Sequence, residues 1–184
     1  MFIRPLCAIR VAAACTCLSA GVIAFSIAPM RAQTVAAAAS GEAAAVTGID
    51  RIDDPHLAAA VTRAARGAQR RLGRDRCAQV IDVFTTTAGR PVRDVLAELR
   101  ASPPAALSRV IFRDGRESSA CRGSAAAFTG PGSRVVFICG KVFAKIDRAR
   151  TELIVIHELL HTLGVGERPP RSSEIDRAVA AHCD

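Results

Sequence analysis

The first helical pattern of the chain lies between residues 55 and 72, where apolar residues recur at steps of three and four. Asp53 or Asp54 stands directly before Pro55, and Gly73 follows the last apolar position. An acidic cap, a proline in the first turn and a glycine after the last turn are typical of the two ends of a helix. The pattern therefore predicts an amphipathic helix that packs against a core.

The last third of the chain shows the same period in two further segments. One covers residues 148–163, with Asp147 in the position of an N-cap. The other covers residues 174–181 and follows Ser172 and Ser173, either of which can cap it. Both segments are predicted to be helices.

Short runs of β-branched and aromatic residues in the middle of the chain predict strands. A loop rich in turn-forming residues joins the last two runs, which predicts a hairpin. The predicted strands cover residues 78–84, 109–112, 124–128 and 134–139, and a short helix is expected over 91–100. At 184 residues we expect an α+β fold: a single small domain with helices around a short, mostly antiparallel sheet and the 148–163 helix at its centre.

The start of the chain has the pattern of an export signal. Arg4 and Arg10 precede an uncharged stretch over residues 11–28, which ends before Pro29. The layout predicts a signal peptide over residues 1–32, a flexible lead-in over 33–52 and a folded domain over 53–184. The alternative is a membrane anchor, but the stretch is short and only weakly apolar. We expect a secreted or periplasmic protein with no stable membrane insertion after removal of the signal.

The charge of the chain bears on its partners. The formal net charge is +8, but three arginines and no acidic residue lie within residues 1–32. The chain has no Trp or Tyr to stack on bases, and its arginines between residues 63 and 76 are spaced as on a solvated helix face. We expect no nucleic-acid partner, and we expect a monomer.

Cysteine usage fits an exported domain. Three of the seven cysteines lie within the predicted signal peptide, and an even number remains. The remaining four are Cys77, Cys121, Cys139 and Cys183. None of them is spaced closely enough for a four-cysteine zinc site, so two disulfides are predicted. Cys121 and Cys139 flank the hairpin and are expected to pair locally, which leaves Cys77 to pair with Cys183.

The central predicted helix carries His157-Glu158-Leu159-Leu160-His161. Histidines four residues apart project from one face of a helix, so both can bind one zinc ion at about 2.0 to 2.1 Å. Glu158 lies about 100° round the helix axis, where it can accept a proton from a water that the metal activates. Histidines without a metal are the alternative. The apolar neighbours on every side disfavour a chance pair on a solvated helix.

The run from His157 to Gly164 resembles the active helix of the zincin metallopeptidases. The best likeness is to the metzincin branch, in which a glycine three residues after the second histidine turns the chain and a third ligand follows six residues after that histidine. This position is Glu167 in the present sequence. The resemblance implies a zinc metallopeptidase that acts on peptides or proteins, with His157, His161 and Glu167 as metal ligands and Glu158 as general base.

The sequence also departs from the metzincin pattern. A glutamate is unusual as third ligand, and the branch has a downstream methionine turn, whereas the methionines here are Met1 and Met30. The gluzincin branch takes a glutamate from a following helix, where Glu174 stands, and Asp176 and His182 are further candidates. We expect these three to be capping or surface residues.

The family resemblance also implies that a sheet edge beside the active helix holds the substrate in extended form, and residues 134–139 are the nearest predicted strand. Two other functions stay open. One is a disulfide-stapled zinc-binding protein without turnover, which the presence of Glu158 disfavours. The other is a zinc hydrolase that acts on a non-peptide substrate.

Overall fold

Seven α-helices and a three-stranded sheet make up residues 48–184, which are the residues that this computed structural model describes. The predicted signal peptide and residues 33–47 of the lead-in lie outside them. The helices are α1 (Pro55–Leu72), α2 (Asp75–Ala78), α3 (Val92–Glu98), α4 (Pro103–Leu107), α5 (Gly140–Phe143), α6 (Arg148–Thr162) and α7 (Ser172–Cys183). The strands are β1 (Ile111–Asp114), β2 (Ala127–Phe128) and β3 (Val135–Ile138). The predicted α+β class is confirmed.

Helix α1 has the predicted bounds because its ends are capped locally. The side chain of Asp54 accepts hydrogen bonds from the backbone N–H groups of His56 and Leu57, and Gly73 is the C-cap. One face of α1 packs against α6. A side chain at Gly67 would overlap the carboxylate of Glu152 on α6, so the glycine allows the two helices to approach closely.

Helix α6 is the centre of the domain. Its N-cap Asp147 accepts a hydrogen bond from the backbone N–H of Arg150 at 2.9 Å, which confirms the predicted start. The second half of the helix is buried on nearly all sides, including Ile156 and Leu160, which are both 0% exposed. The helix also contacts α1, α7, β2 and β3.

The sheet has the strand order β1-β3-β2 and is mixed. The predicted hairpin is confirmed, since β2 pairs antiparallel to β3 through two residue pairs. The prediction of a mostly antiparallel sheet is wrong in this respect: β1 pairs parallel to β3 through four residue pairs. A long connection over residues 115–126 runs from β1 to the far side of β3. The sequence did not reveal the parallel pairing, because the alternation of side chains contains no information about strand direction.

The predicted strand over residues 78–84 is wrong. Residues 75–78 form α2, and Gln79–Val83 form a turn of 3₁₀-helix. The consecutive residues Val80 and Ile81 are both buried, at 0% and 3% exposure, which a strand with one solvated face does not allow. A short apolar run does not distinguish a buried turn of helix from a strand.

The fold begins earlier than the predicted boundary at residue 53. Ile49 forms a parallel bridge with Phe112, and the carboxylate of Asp50 pairs with Arg113 at 2.7 Å. These contacts cover the free edge of β1. The last five residues of the predicted lead-in therefore belong to the folded domain.

Both predicted disulfides are confirmed. Cys77 pairs with Cys183 and joins α2 to α7, while Cys121 pairs with Cys139 and joins the connection before β2 to the end of β3. Such bonds stabilise a fold by about 2 to 4 kcal/mol each. Among residues 48–184, no helix combines the length and the apolar character needed to cross a bilayer.

Candidate metal centre

The last two turns of α6 bring the two motif histidines together. His157 and His161 are 7% and 4% exposed, and their Nε2 atoms are 3.0 Å apart. Burial lowers the pKa of His161, which favours the neutral ring that metal ligation requires. The helical spacing of four residues therefore directs two imidazole nitrogens to one point, as the sequence predicted.

The outer nitrogen of each ring has an oxygen partner. His161 Nδ1 lies 2.8 Å from the carbonyl oxygen of Val165, and His157 Nδ1 lies 2.8 Å from Oδ1 of Asp176. A carbonyl oxygen can only accept, so Nδ1 of His161 donates and the neutral ring presents a lone pair at Nε2. The carboxylate of Asp176 favours the same tautomer of His157. The Nε2 lone pairs of the two rings therefore face each other, with 3.0 Å between the nitrogen atoms. This arrangement is favourable when a cation lies between them.

The turn after α6 brings in the third residue. Gly164 has φ +102°, a conformation that favours glycine, and its N–H donates to the carbonyl of His161. The N–H of Val165 donates to the carbonyl of Leu160, which completes a Schellman motif. This turn ends the helix and directs the following residues back towards the histidines. Glu167 Oε1 lies 3.4 Å from His161 Nε2 as a result.

Gly166 assists this turn by its small size. A Cβ atom at this position would lie 2.7 Å from Cγ2 of Thr87, and the backbone N–H of Thr87 donates to the carbonyl of Gly164. The segment after the helix therefore packs tightly against residues 86–87. Of the two glycines, Gly164 has a positive φ and Gly166 does not.

The three side chains have the chemistry and the separations of a zinc site. Two imidazole nitrogens and a carboxylate oxygen are zinc ligands, and tetrahedral ligands at about 2.0 to 2.1 Å from the ion lie about 3.4 Å apart. The separations here are 3.0 Å between His157 Nε2 and His161 Nε2, 3.4 Å between His161 Nε2 and Glu167 Oε1, and 3.9 Å between His157 Nε2 and Glu167 Oε1. Of the residues that the structure describes, these form the one cluster able to hold a metal ion. The residues fit zinc.

Glu158 is buried beside this cluster, and its hydrogen bonding differs from that of the two histidines. The residue is 5% exposed, and its Oε2 atom has no hydrogen-bond partner among the described residues. Burial raises the pKa of this carboxyl to about 7, the nearby acidic groups add to the shift, and the charge of His157 opposes it. A buried carboxyl oxygen without a partner is costly for folding, so it points to a role outside stability.

The other candidate ligands lie in different surroundings. Glu174 Oε2 accepts a hydrogen bond from the backbone N–H of Arg171 at 2.7 Å, as the third residue of a helix does in a capping box. His182 Nδ1 lies 3.3 Å from the carbonyl oxygen of Arg76, near the other end of α7. The predicted capping role of Glu174 is confirmed, with Arg171 as the N-cap in place of either serine.

Asp176 occupies a place that the sequence did not indicate. It was a candidate ligand by residue type, but the structure places it behind His157, with its carboxylate on Nδ1 at 2.8 Å. The hydrogen bond with His157 lowers the pKa of Asp176, and the charges of His157 and Arg150 act in the same direction. The two residues are 19 positions apart, so their contact depends on how α7 packs against α6 and has no local signal.

A cleft of about 490 Å³ opens beside the cluster. Residues 124–129, which include β2, form one wall, and α6 forms the other with Ile154, His157 and Glu158. The expectation that residues 134–139 form the sheet edge beside the helix is wrong, because β3 is the middle strand. Of the two edge strands, β2 is the one that borders the cleft.

Comparison of the chain with family models, with curated proteins and with solved structures gave no match.

Proposed function

We propose that the protein is an exported zinc-dependent metallopeptidase. The observation that carries the proposal is the meeting of two histidine nitrogens and a carboxylate oxygen beside Glu158 Oε2, which is buried and has no hydrogen-bond partner among residues 48–184. Structural zinc sites use four protein ligands, whereas hydrolytic ones use three and keep one position open. Three ligands with a carboxyl next to them favour hydrolysis.

His157, His161 and Glu167 would hold the metal, with Asp176 and the Val165 carbonyl orienting the two rings. Zinc held by these residues would supply a water molecule of lowered pKa and would polarise a carbonyl group. No described residue forms a competing hydrogen bond with Glu158 Oε2, so this atom can accept a proton from the attacking water. The same atom can then give this proton to the amine that leaves when the peptide bond breaks. Burial of Glu158 favours its protonated form, which helps the carboxylate to receive the proton.

The cleft favours a peptide as substrate. The outer edge of β2 borders it, and an exposed strand edge binds an extended chain through backbone hydrogen bonds. The cleft lies along the sheet edge and α6, which suits a polypeptide or a protein loop. Two disulfides suit the oxidising compartments that a secreted or periplasmic protein reaches. We retain peptide or protein substrates and a monomeric state as parts of the proposal.

A zinc-binding protein without turnover is the competing function. It would account for the two histidines and Glu167, but it gives no purpose to a buried Glu158 oxygen without a hydrogen-bond partner. The presence of that atom beside the cluster is the reason for preferring an enzyme.

Metal analysis and peptide cleavage test the proposal together. We expect about one zinc per chain by elemental mass spectrometry, and we expect His157→Ala and His161→Ala to lose it, because two ligands do not retain zinc against a chelator. A peptide library should be cleaved by the zinc-loaded protein and not after chelation. Full zinc occupancy in either histidine variant would contradict the site. Zinc binding without cleavage of any peptide would favour the competing function.

A further inference from the structure

Arg150 lies on the wall of the cleft that α6 forms, on the same helix as the two candidate histidine ligands. It lines the cleft together with Ile146 and Ile154, which stand four residues before and after it. Its backbone is held by the N-cap, since its N–H donates to Asp147. The guanidinium therefore extends from a rigid base, and the side chain is exposed to the cleft.

The guanidinium of Arg150 forms no ion pair among residues 48–184. Arg148, two residues earlier, pairs with Glu152 at 3.1 Å. Among the described residues, no acidic oxygen lies within 4.0 Å of the Arg150 guanidinium. The charge of Arg150 helps to lower the pKa of Asp176, but the carboxylate of Asp176 is hydrogen-bonded to His157. A cation in the first turn of a helix also opposes the helix dipole, so stability does not explain its position.

The other charged residues that line the cleft differ from Arg150 in the sign of their charge. These residues are acidic, namely Glu158, Glu167 and Asp176, and they all lie at the metal end. The opposite wall at residues 124–127 is a serine and three alanines, which leaves room for a substrate side chain. Arg150 is the one cation that lines the described cleft.

We propose that Arg150 determines specificity by binding a carboxylate of the substrate about three residues from the scissile bond. Arg150 precedes His157 by seven residues, which is about 10 Å along a helix at 1.5 Å per residue. An extended peptide covers that distance in about three residues at roughly 3.3 Å each. The guanidinium fork matches a carboxylate through two parallel hydrogen bonds. This inference rests on the proposed peptidase function.

The carboxylate has two sources, an internal Asp or Glu side chain and the C-terminus of a short peptide. Cleavage of matched peptides separates them. One pair carries Glu or Gln at each position two to four residues from the scissile bond, and a second pair carries a free or an amidated C-terminus. We expect kcat/KM to be about tenfold higher for one acidic member than for its neutral partner, and the ratio to fall as salt is raised. The pair that shows the ratio identifies the source.

The variants of Arg150 give the decisive comparison. In Arg150→Ala the ratio of kcat/KM between the acidic and the neutral peptide should fall to near one. Arg150→Glu should instead prefer a peptide that carries Lys at the same position. The control is Arg66→Ala, which removes an exposed arginine from α1 outside the cleft and should keep the wild-type ratio. An unchanged ratio in Arg150→Ala would overturn the inference while leaving the peptidase proposal intact.

A binding measurement keeps the inference testable if no peptide is cleaved. Fluorescently labelled Glu and Gln peptides are titrated into zinc-loaded Glu158→Gln protein, with and without Arg150→Ala. We expect about tenfold tighter binding of the acidic peptide, and loss of this difference in the Arg150→Ala background. Equal binding of both peptides to Glu158→Gln protein would reject the role of Arg150, whatever the cleavage assay shows.

Discussion

Two glutamates of α6, six residues apart, are equally buried but have opposite surroundings. Glu152 is 7% exposed and accepts hydrogen bonds from Arg71 at 2.8 Å and from Arg148 at 3.1 Å. Glu158 is 5% exposed, and its Oε2 atom has no partner among the described residues. A buried carboxylate that serves stability is paired, because desolvation of an unpaired charge is costly. The contrast separates the structural half of α6 from the half that we propose to be catalytic.

The pKa values follow the same division. Burial acts to raise the pKa of Glu152, but the hydrogen bonds and charges of Arg71 and Arg148 outweigh it and lower the pKa. Burial raises the pKa of Glu158 to about 7, and no cationic side chain with a hydrogen bond offsets it. The first carboxyl is held ionised, and the second is able to exchange a proton near neutral pH.

The largest expected effect is on activity at Glu158. Glu158→Gln keeps the shape of the side chain but cannot accept a proton, so kcat/KM for peptide cleavage should fall about 10² to 10⁴-fold with zinc retained. The melting temperature of the metal-free protein should stay equal or rise, since an unpaired carboxyl is removed. Undiminished cleavage by this variant would reject the general-base role.

Glu152→Gln should lower the stability of the protein and leave peptide cleavage unchanged. The amide cannot satisfy Arg71 as a carboxylate does, so the free energy of unfolding should fall by about 1.5 to 3 kcal/mol in a urea titration. Glu98→Gln is the matched control: Glu98 pairs with Arg90 at the surface with a side chain 65% exposed, and it should cost less than about 1 kcal/mol. Equal losses in the two variants would show that the buried network has no special role.

The two carboxylates that follow α6 extend the comparison from catalysis to metal binding. Glu167 lies against the histidines, and Glu174 caps α7. Glu167→Ala should lower zinc affinity at least about tenfold in a competition assay with a chelator. Glu174→Ala should leave the affinity nearly unchanged and cost about 1 kcal/mol of stability. The opposite ranking would make Glu174 the ligand and the site gluzincin-like.

The smallest effect concerns acid stability. A carboxyl whose pKa is lowered by folding stabilises the native state fully above its unfolded pKa, about 4.3, and loses this contribution as the pH falls through the folded value. Wild-type protein should therefore lose more stability than Glu152→Gln as the pH falls below about 4.3, so the two curves should converge. Parallel curves of melting temperature against pH would contradict the assignment.

Local sequence signals were enough to predict the elements that depend on near neighbours. The caps at Asp54 and Asp147 set the starts of α1 and α6, and the turn residues between β2 and β3 indicated the hairpin. The spacing of His157, Glu158 and His161 on one helix follows from helical geometry alone. Glu167 was singled out by the family resemblance, and Gly164 supplied the turn that brings it to the histidines. Both disulfide pairs were also predicted correctly.

Features that depend on residues far apart in the chain follow from the packing of the elements. Only packing makes β1 and β3 parallel and residues 78–83 helical, because apolar runs and alternation do not specify a partner. The contact of Asp176 with His157 joins two helices, and Arg71 reaches Glu152 across 81 positions. The local sequence pattern does not distinguish Glu152 from Glu158 on α6. Their different surroundings arise from the elements that pack over them, which is why Glu152 is paired, whereas Glu158 Oε2 has no hydrogen-bond partner in the described part of the chain.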